Sequence, residues 1–271
     1  MDLHIHSTFS DGELTPTQII EEAAKNDLSI ISITDHDEIG GYLDAINIAR
    51  KKGIDLIPGI ELNTDGDDGE LHILGYHLDP VHPALTAHIN WRQKERNQWA
   101  QKIINRLHEL GYPITFHGAK KWATGEIIVR THIALELVDQ GYFQTQEKAY
   151  DSLLKKGADA FIQRASFTAA DAIALIHQAG GKAFLAHPGM YKTNVAPEKL
   201  ISYGLDGIEV YHPRHSEADI SKWKHIADAH DLLISGGSDH HGPHSRNPFS
   251  IGSQDIPEAC KNNWQQKELS K

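Results

Sequence analysis

Short apolar runs that end in histidine or a carboxylate recur along this chain, and they constrain its fold more than any other feature. Residues 2–6 form a strand candidate finishing in His4-Ile5-His6, and residues 29–34 run into Asp35-His36. Residues 55–61 end on Glu61, and residues 71–76 form a return strand carrying His72. Residues 182–186 precede His187-Pro188, and residues 232–235 lead to Ser238-Asp239-His240-His241. Residues 206–211 and 249–252 are further strand candidates. Helix starts lie between the runs. Thr15-Pro16-Thr17-Gln18 offers a cap, a proline suited to the first turn and a capping box. Helices are expected from there to about residue 27, over residues 41–52 with a stop at Gly53, from Thr168, and from Ser216. The cluster of Asp and Gly at residues 65–70 predicts a hairpin turn. Alternating strands and helices predict a mainly parallel sheet, closed or nearly closed by helices. In such barrels the C-terminal strand ends share one face.

The rhythm breaks between residues 85 and 165. Helical patterns such as 87–110, with Ile89, Trp99, Ile103 and Leu107, replace strand signals there. The charge also changes: this segment holds 12 Lys/Arg and 8 Asp/Glu, a balance of +4, whereas the remainder carries −15. The expected organisation is a barrel of residues 1–84 and 166–271 with a helical insertion, 85–165, covering the active site.

The 271 residues include 19 histidines and carry a net charge of −11. An acidic chain makes a poor general nucleic-acid binder, because phosphate binding is driven by Lys and Arg. No long-range nucleic-acid surface is therefore expected. No apolar run suits a membrane span, and chemistry-bearing residues begin at His4, which leaves no room for a cleaved signal. Cys260 is the single cysteine, so no internal disulfide is possible, which fits a reducing cytoplasm.

His4 and His6, two apart on a strand, place their rings on one face. Neutral imidazoles side by side suit Mn, Zn or Fe, and a carboxylate such as Glu61 can bridge two cations. Asp35 points away from His36 in an extended chain, so an orienting or helix-capping role fits it as well as ligation. Several divalent ions in one pocket make hydroxide from water and neutralise phosphoryl oxygens. No serine or cysteine nucleophile motif and no Gly-x-x-x-x-Gly-Lys-Ser/Thr loop is present. The residues thus point to water attack on phosphorus without a covalent enzyme intermediate. His82, His88, His108, His117, His177, His225 and His230 read as surface or structural.

The ensemble Asp2-Leu-His-Ile-His-Ser-Thr-Phe-Ser-Asp-Gly12, Ile33-Thr-Asp-His36, Gly59-Ile-Glu61, Leu71-His-Ile-Leu-Gly-Tyr76, Ala186-His-Pro188 and Gly237-Ser-Asp-His-His241 resembles the polymerase-and-histidinol-phosphatase (PHP) family over essentially the whole chain. Val129-Arg-Thr-His-Ile-Ala134 and Tyr211-His-Pro-Arg-His-Ser216 extend the likeness to the YciV/TrpH-type branch. That branch is associated with nucleoside 3′,5′-bisphosphate phosphatase activity and 5′-to-3′ trimming of short RNA. The resemblance implies an α/β fold, a distorted (β/α)7 barrel with a helical insertion, holding two or three divalent metal ions, manganese first and zinc or iron as alternatives. It assigns His4, His6, Glu61 and Asp239 to one metal and Asp11, His36 and His241 to a second. Glu61, His72 and His187 go to a third, with Asp11, Glu61 and Asp239 acting catalytically through the metals. Val129 and Thr131 stand where the family pattern suggests Gly and Pro. Arg130 suits a second phosphate through its fork geometry, and His132 and His215 are further substrate contacts. The expected partner is a nucleotide or short oligonucleotide. The competing readings are a histidinol-phosphate or other small-molecule phosphatase, an amidohydrolase-type C–N hydrolase, and a non-catalytic metal-binding partner module. No strand-end lysine stands where the amidohydrolase reading would need one.

Overall fold

The computed structural model describes residues 1–66, 69–123, 128–192, 195–245 and 247–265. Six strands form one sheet among them, in sequential order: β1 (Ile30–Ile33), β2 (Asp55–Asn63), β3 (His72–Tyr76), β4 (Lys182–Leu185), β5 (Gly207–Tyr211) and β6 (Leu233–Gly236). β1–β2, β4–β5 and β5–β6 are parallel, and β3 runs antiparallel to both neighbours. The expected return strand is therefore β3. Residues 67 and 68 of the hairpin turn before it lie outside the described residues.

The N-terminal segment links the two ends of this sheet. Asp2 bridges to Ile31 and Ile5 to His240. Leu3 donates its N–H to Gly236 O at 3.1 Å, and Thr34 donates to Ile5 O at 2.8 Å. The fold is thus α/β with a curled sheet. The expected strand at 2–6 is held as single bridges, and residues 249–252 form no strand, with a turn at 251 and 252. There Gly252, at φ 79°, donates its N–H to the Asp2 carboxylate. That side-chain partner replaces the ladder that the apolar pattern suggested.

Two compact units are present, residues 1–86 with 166–271, and residues 87–165. In the first, helices α1 (Pro16–Lys25) and α2 (Gly40–Lys52) cover β1 and β2. Thr15 and Gln18 form the predicted capping box of α1, and Gly53 ends α2 in the left-handed region at φ 70°, where glycine carries no Cβ penalty. Ile19, Ile20, Ile31 and Ile33 bury a shared apolar layer. α7 (Ala169–Gln178) and α9 (Glu217–Ala229) start on the capping boxes Thr168/Asp171 and Ser216/Asp219; α7 leads into β4, and α9 connects β5 to β6.

The second unit is helical: most of α3 (Pro83–Glu109), then α4 (Phe116–Lys120), α5 (Arg130–Asp139) and α6 (Gln146–Ala149). It has its own core of Trp99, Ile103, Leu107, Ile133 and Leu137. α8 (Pro197–Ser202) and α10 (Glu258–Gln265) complete the described α-helices. No helix among them is long and apolar enough to cross a membrane.

Candidate metal centre

The strand ends of the first unit deliver nine His, Asp and Glu side chains to one place. Its first corner holds four donor atoms. His4 Nε2 and His6 Nε2 lie 3.2 Å apart. Glu61 Oε2 lies 3.3 Å from the first and 3.2 Å from the second, and Asp239 Oδ1 is 3.3 Å from each. A second corner gathers around Asp11: His241 Nε2 at 3.4 Å, His6 Nδ1 at 3.6 Å and His36 Nε2 at 3.9 Å. In the third, Glu61 Oε1 meets His72 Nδ1 at 2.8 Å and His187 Nε2 at 3.1 Å. Glu61 is common to the first and third corners.

Backbone geometry makes this convergence possible. Gly12 turns back so tightly that a Cβ there would sit 2.2 Å from His6 O, and a Cβ on Gly237 would sit 2.4 Å from His4 N. His187 and Asp239 adopt φ 30° and 50°, a region non-glycine residues leave unless their surroundings hold them.

Those surroundings are hydrogen bonds from distant strands. Glu209, fully buried in β5, binds His4 Nδ1 at 2.9 Å through one oxygen and accepts the His187 N–H at 2.7 Å through the other. This carboxylate turns His4 Nε2 inward, the arrangement that orients a metal-binding imidazole. Asp239 Oδ2 accepts from Asn247 Nδ2 at 2.6 Å and faces His212 Nε2 at 3.5 Å. His212 Nδ1 accepts the Arg214 N–H, so its proton sits on Nε2, toward Asp239. Asp35 accepts from Ser7 N–H, Ser7 Oγ and Ser10 Oγ at 2.6–2.7 Å, which fixes the loop carrying Asp11. Tyr191 Oη accepts the His72 N–H at 2.9 Å.

The electrostatics are those of a site built for cations. Burial alone would depress the His4 imidazole, but Glu209, Glu61 and Asp239 push its pKa well above the ordinary value. His6 and His36 are also raised, against burial, by neighbouring carboxylates. Burial would raise the Glu61 and Asp239 carboxyls, yet the facing histidines hold both well below the carboxylate range. Arriving metal ions would displace the extra histidine protons. Glu61 Oε2 lies 3.0–3.3 Å from three imidazole nitrogens without an aligned hydrogen bond to any. His6 Nδ1, His36 Nδ1 and His241 Nε2 are buried in the same condition. Buried polar atoms normally find partners. Donors that face shared points instead of one another fit divalent ions.

A cavity of about 220 Å³ opens on this cluster. His36, Glu61, His72, His187, Asp239 and His241 line it together with Met190, Tyr191, Arg214 and Asn247. His215, expected to contact substrate, has both ring nitrogens committed elsewhere: Nδ1 to Val210 O at 2.8 Å and Nε2 to the Gly189 N–H at 3.1 Å. It braces the turn after His187 instead. Arg130 and His132 belong to the helical unit. There the Arg130 guanidinium lies 5.4–5.5 Å from the Trp99 and Phe161 ring centres, and His132 Nδ1 accepts the Val129 N–H at the start of α5. Burial pushes the Cys260 thiol up to about 11, so it is no nucleophile at neutral pH.

Glu209, Asn247 and Tyr191 escaped the sequence reading, and His212 stood in the run Tyr211-His-Pro-Arg-His-Ser216 without a role of its own. Of the first three, Glu209 alone left a signal, a carboxylate inside the apolar run Gly207-Ile-Glu-Val-Tyr211.

Comparison with known proteins decides the family. The PHP domain matches residues 2–216. The chain belongs to the PHP domain family. It is 35% identical to a 3′,5′-nucleoside bisphosphate phosphatase of Chromobacterium violaceum, over 99% of this chain and 96% of that protein. A 5′-3′ exoribonuclease of Haemophilus influenzae is also 35% identical, over 89% of this chain and 90% of its own length. Among solved PHP-like structures, one described as a metal-dependent phosphoesterase from Bifidobacterium adolescentis superposes with a TM-score of 0.80 at 28% identity, covering 97% of this chain and 94% of that one. These likenesses agree with a hydrolase acting on phosphate esters.

Proposed function

We propose that this PHP chain removes the 3′-phosphate of nucleoside 3′,5′-bisphosphates and trims short 5′-phosphorylated RNA from its 5′ end. The observation that carries the reading is Glu61, whose two oxygens face two separate sets of imidazoles. On this reading His4, His6, Glu61 and Asp239 hold one ion, Asp11, His36 and His241 a second, and Glu61, His72 and His187 a third. Manganese comes first, and zinc or iron suit the same mixed N/O donors. Asp2–His6 then serves as a further barrel strand, and the site works in a reducing cytoplasm. Bound ions would supply Lewis acidity at phosphorus and lower the pKa of water.

The chain's own residues do the rest. Glu209 keeps the His4 ring and the His187 backbone in place. His212 and Asn247 keep Asp239 oriented. The small cavity and the acidic exterior favour a nucleotide or a chain terminus over a long RNA track.

The test is turnover by the Mn-loaded protein of adenosine 3′,5′-bisphosphate and a short 5′-phosphorylated RNA, with Asp239→Ala as control. Phosphate release that falls by at least about 100-fold in the variant supports the reading. Equal silence of both proteins, with metal bound, would refute the substrate assignment.

A further inference from the structure

Among the described residues lining the cavity, Arg214 is the one Lys or Arg. The others near it are imidazoles, carboxylates, an amide, a phenol and a thioether. Arg214 sits on the turn after β5, and that turn is braced on both sides. Its backbone N–H donates to His212 Nδ1 at 3.1 Å, and His215 ties the next position to Val210 and Gly189. The guanidinium carbon lies 5.7 Å from the centre of the Phe249 ring. A guanidinium stacked on an aromatic ring is pre-organised, so little freedom is lost when its N–H edge meets an anion.

The cavity size indicates which anion. At about 220 Å³ it is smaller than the roughly 300–1,000 Å³ of sites that engulf a whole small molecule. It suits a phosphoryl group and the start of its sugar. Arg214 lines this space together with Glu61 and Asp239. His212 joins the two sides, holding the Arg214 backbone with one nitrogen and facing Asp239 with the other.

We propose that Arg214 binds the non-bridging oxygens of the phosphoryl group being hydrolysed and stabilises the charge that builds on them. The inference rests on the phosphoesterase reading above. Water oxygen bonds to phosphorus as the ester P–O bond breaks. One water proton goes to solvent, and the leaving oxygen takes up a proton. Arg214 keeps all its protons and only donates hydrogen bonds. It therefore serves every substrate alike, in contrast to a contact with a second phosphate.

The experiment uses the Mn-loaded full chain with Arg214→Gln and Arg214→Lys. Adenosine 3′,5′-bisphosphate, adenosine 3′-monophosphate and inorganic phosphate are the probes. For Arg214→Gln, kcat should drop about 100-fold on both nucleotides. Calorimetric affinity for inorganic phosphate should weaken roughly 10-fold or more. Metal content and Tm should not change. Lysine should recover part of the loss, and it carries the comparison if the glutamine variant lowers Tm. Wild-type kcat in both variants would overturn the proposal. So would a rise in KM confined to the bisphosphate, which would place Arg214 on the uncleaved phosphate. If the wild type turns over neither nucleotide, the phosphoesterase reading fails by itself. The phosphate titration still decides the contact: weakened binding supports it, and unchanged affinity refutes it.

Discussion

The two units of this protein solve opposite packing problems. Residues 87–165 bury an ordinary apolar core, in which Ile103, Leu107, Ile133 and Leu137 have no exposed surface. The other unit buries His4, His6, Glu61 and Glu209 just as fully. An apolar core is stabilised by its own burial. A buried ionic cluster meets a desolvation penalty that only good partners offset. The first kind of core should be indifferent to metal, and the second should depend on it.

The largest expected effect tests that indifference. Leu137→Ala should lower stability by about 2–5 kcal/mol through cavity formation, while metal content of the folded protein stays at the wild-type level. Thermal unfolding and elemental analysis of the same sample check this. Lost metal would break the contrast. Next comes Glu209→Gln, which alters no expected ligand. Removing such an orienting partner should weaken metal affinity by about 10–100-fold, read by competition with a chelator. An unchanged affinity would make Glu209 mere packing.

The smallest effect is a pH dependence. His4, His6 and His36 titrate above their ordinary value of 6.5. Their contribution to the metal-free protein is therefore complete below that pH and is lost as pH rises through the raised values. Glu61 and Asp239 lie well below their ordinary 4.5 and 3.8, so their contribution is lost only as pH falls through those depressed values. His72 is lowered by burial and opposes the trend slightly. Tm of metal-free protein should fall as pH rises above the ordinary imidazole value of 6.5. Metal-loaded protein should instead lose metal toward acid, because protons compete for the same nitrogens. A flat metal-free profile would contradict the pairing described here.

Much of this was legible in the sequence because the signals are local. Thr15/Gln18, Thr168/Asp171 and Ser216/Asp219 announce helix starts within four residues. Histidines at the ends of apolar runs point to one face. What could not be read depends on long-range partners. Glu209 meets His4 across 205 residues, and no local pattern records that contact. His215 has the residue type of a phosphate ligand, but its neighbours Val210 and Gly189 use both nitrogens. Residues 249–252 have the composition of a strand, yet Phe249 O and the Gly252 N–H bond to the side chains of His240 and Asp2.

The central claim is that Glu61 joins two metal positions. Metal stoichiometry of the manganese-loaded wild type and of Glu61→Gln, measured at equal protein concentration, tests it most directly. The account predicts two or three ions per wild-type chain and the loss of at least one in the variant. One ion or none in the wild type, or the same number in both proteins, would contradict it.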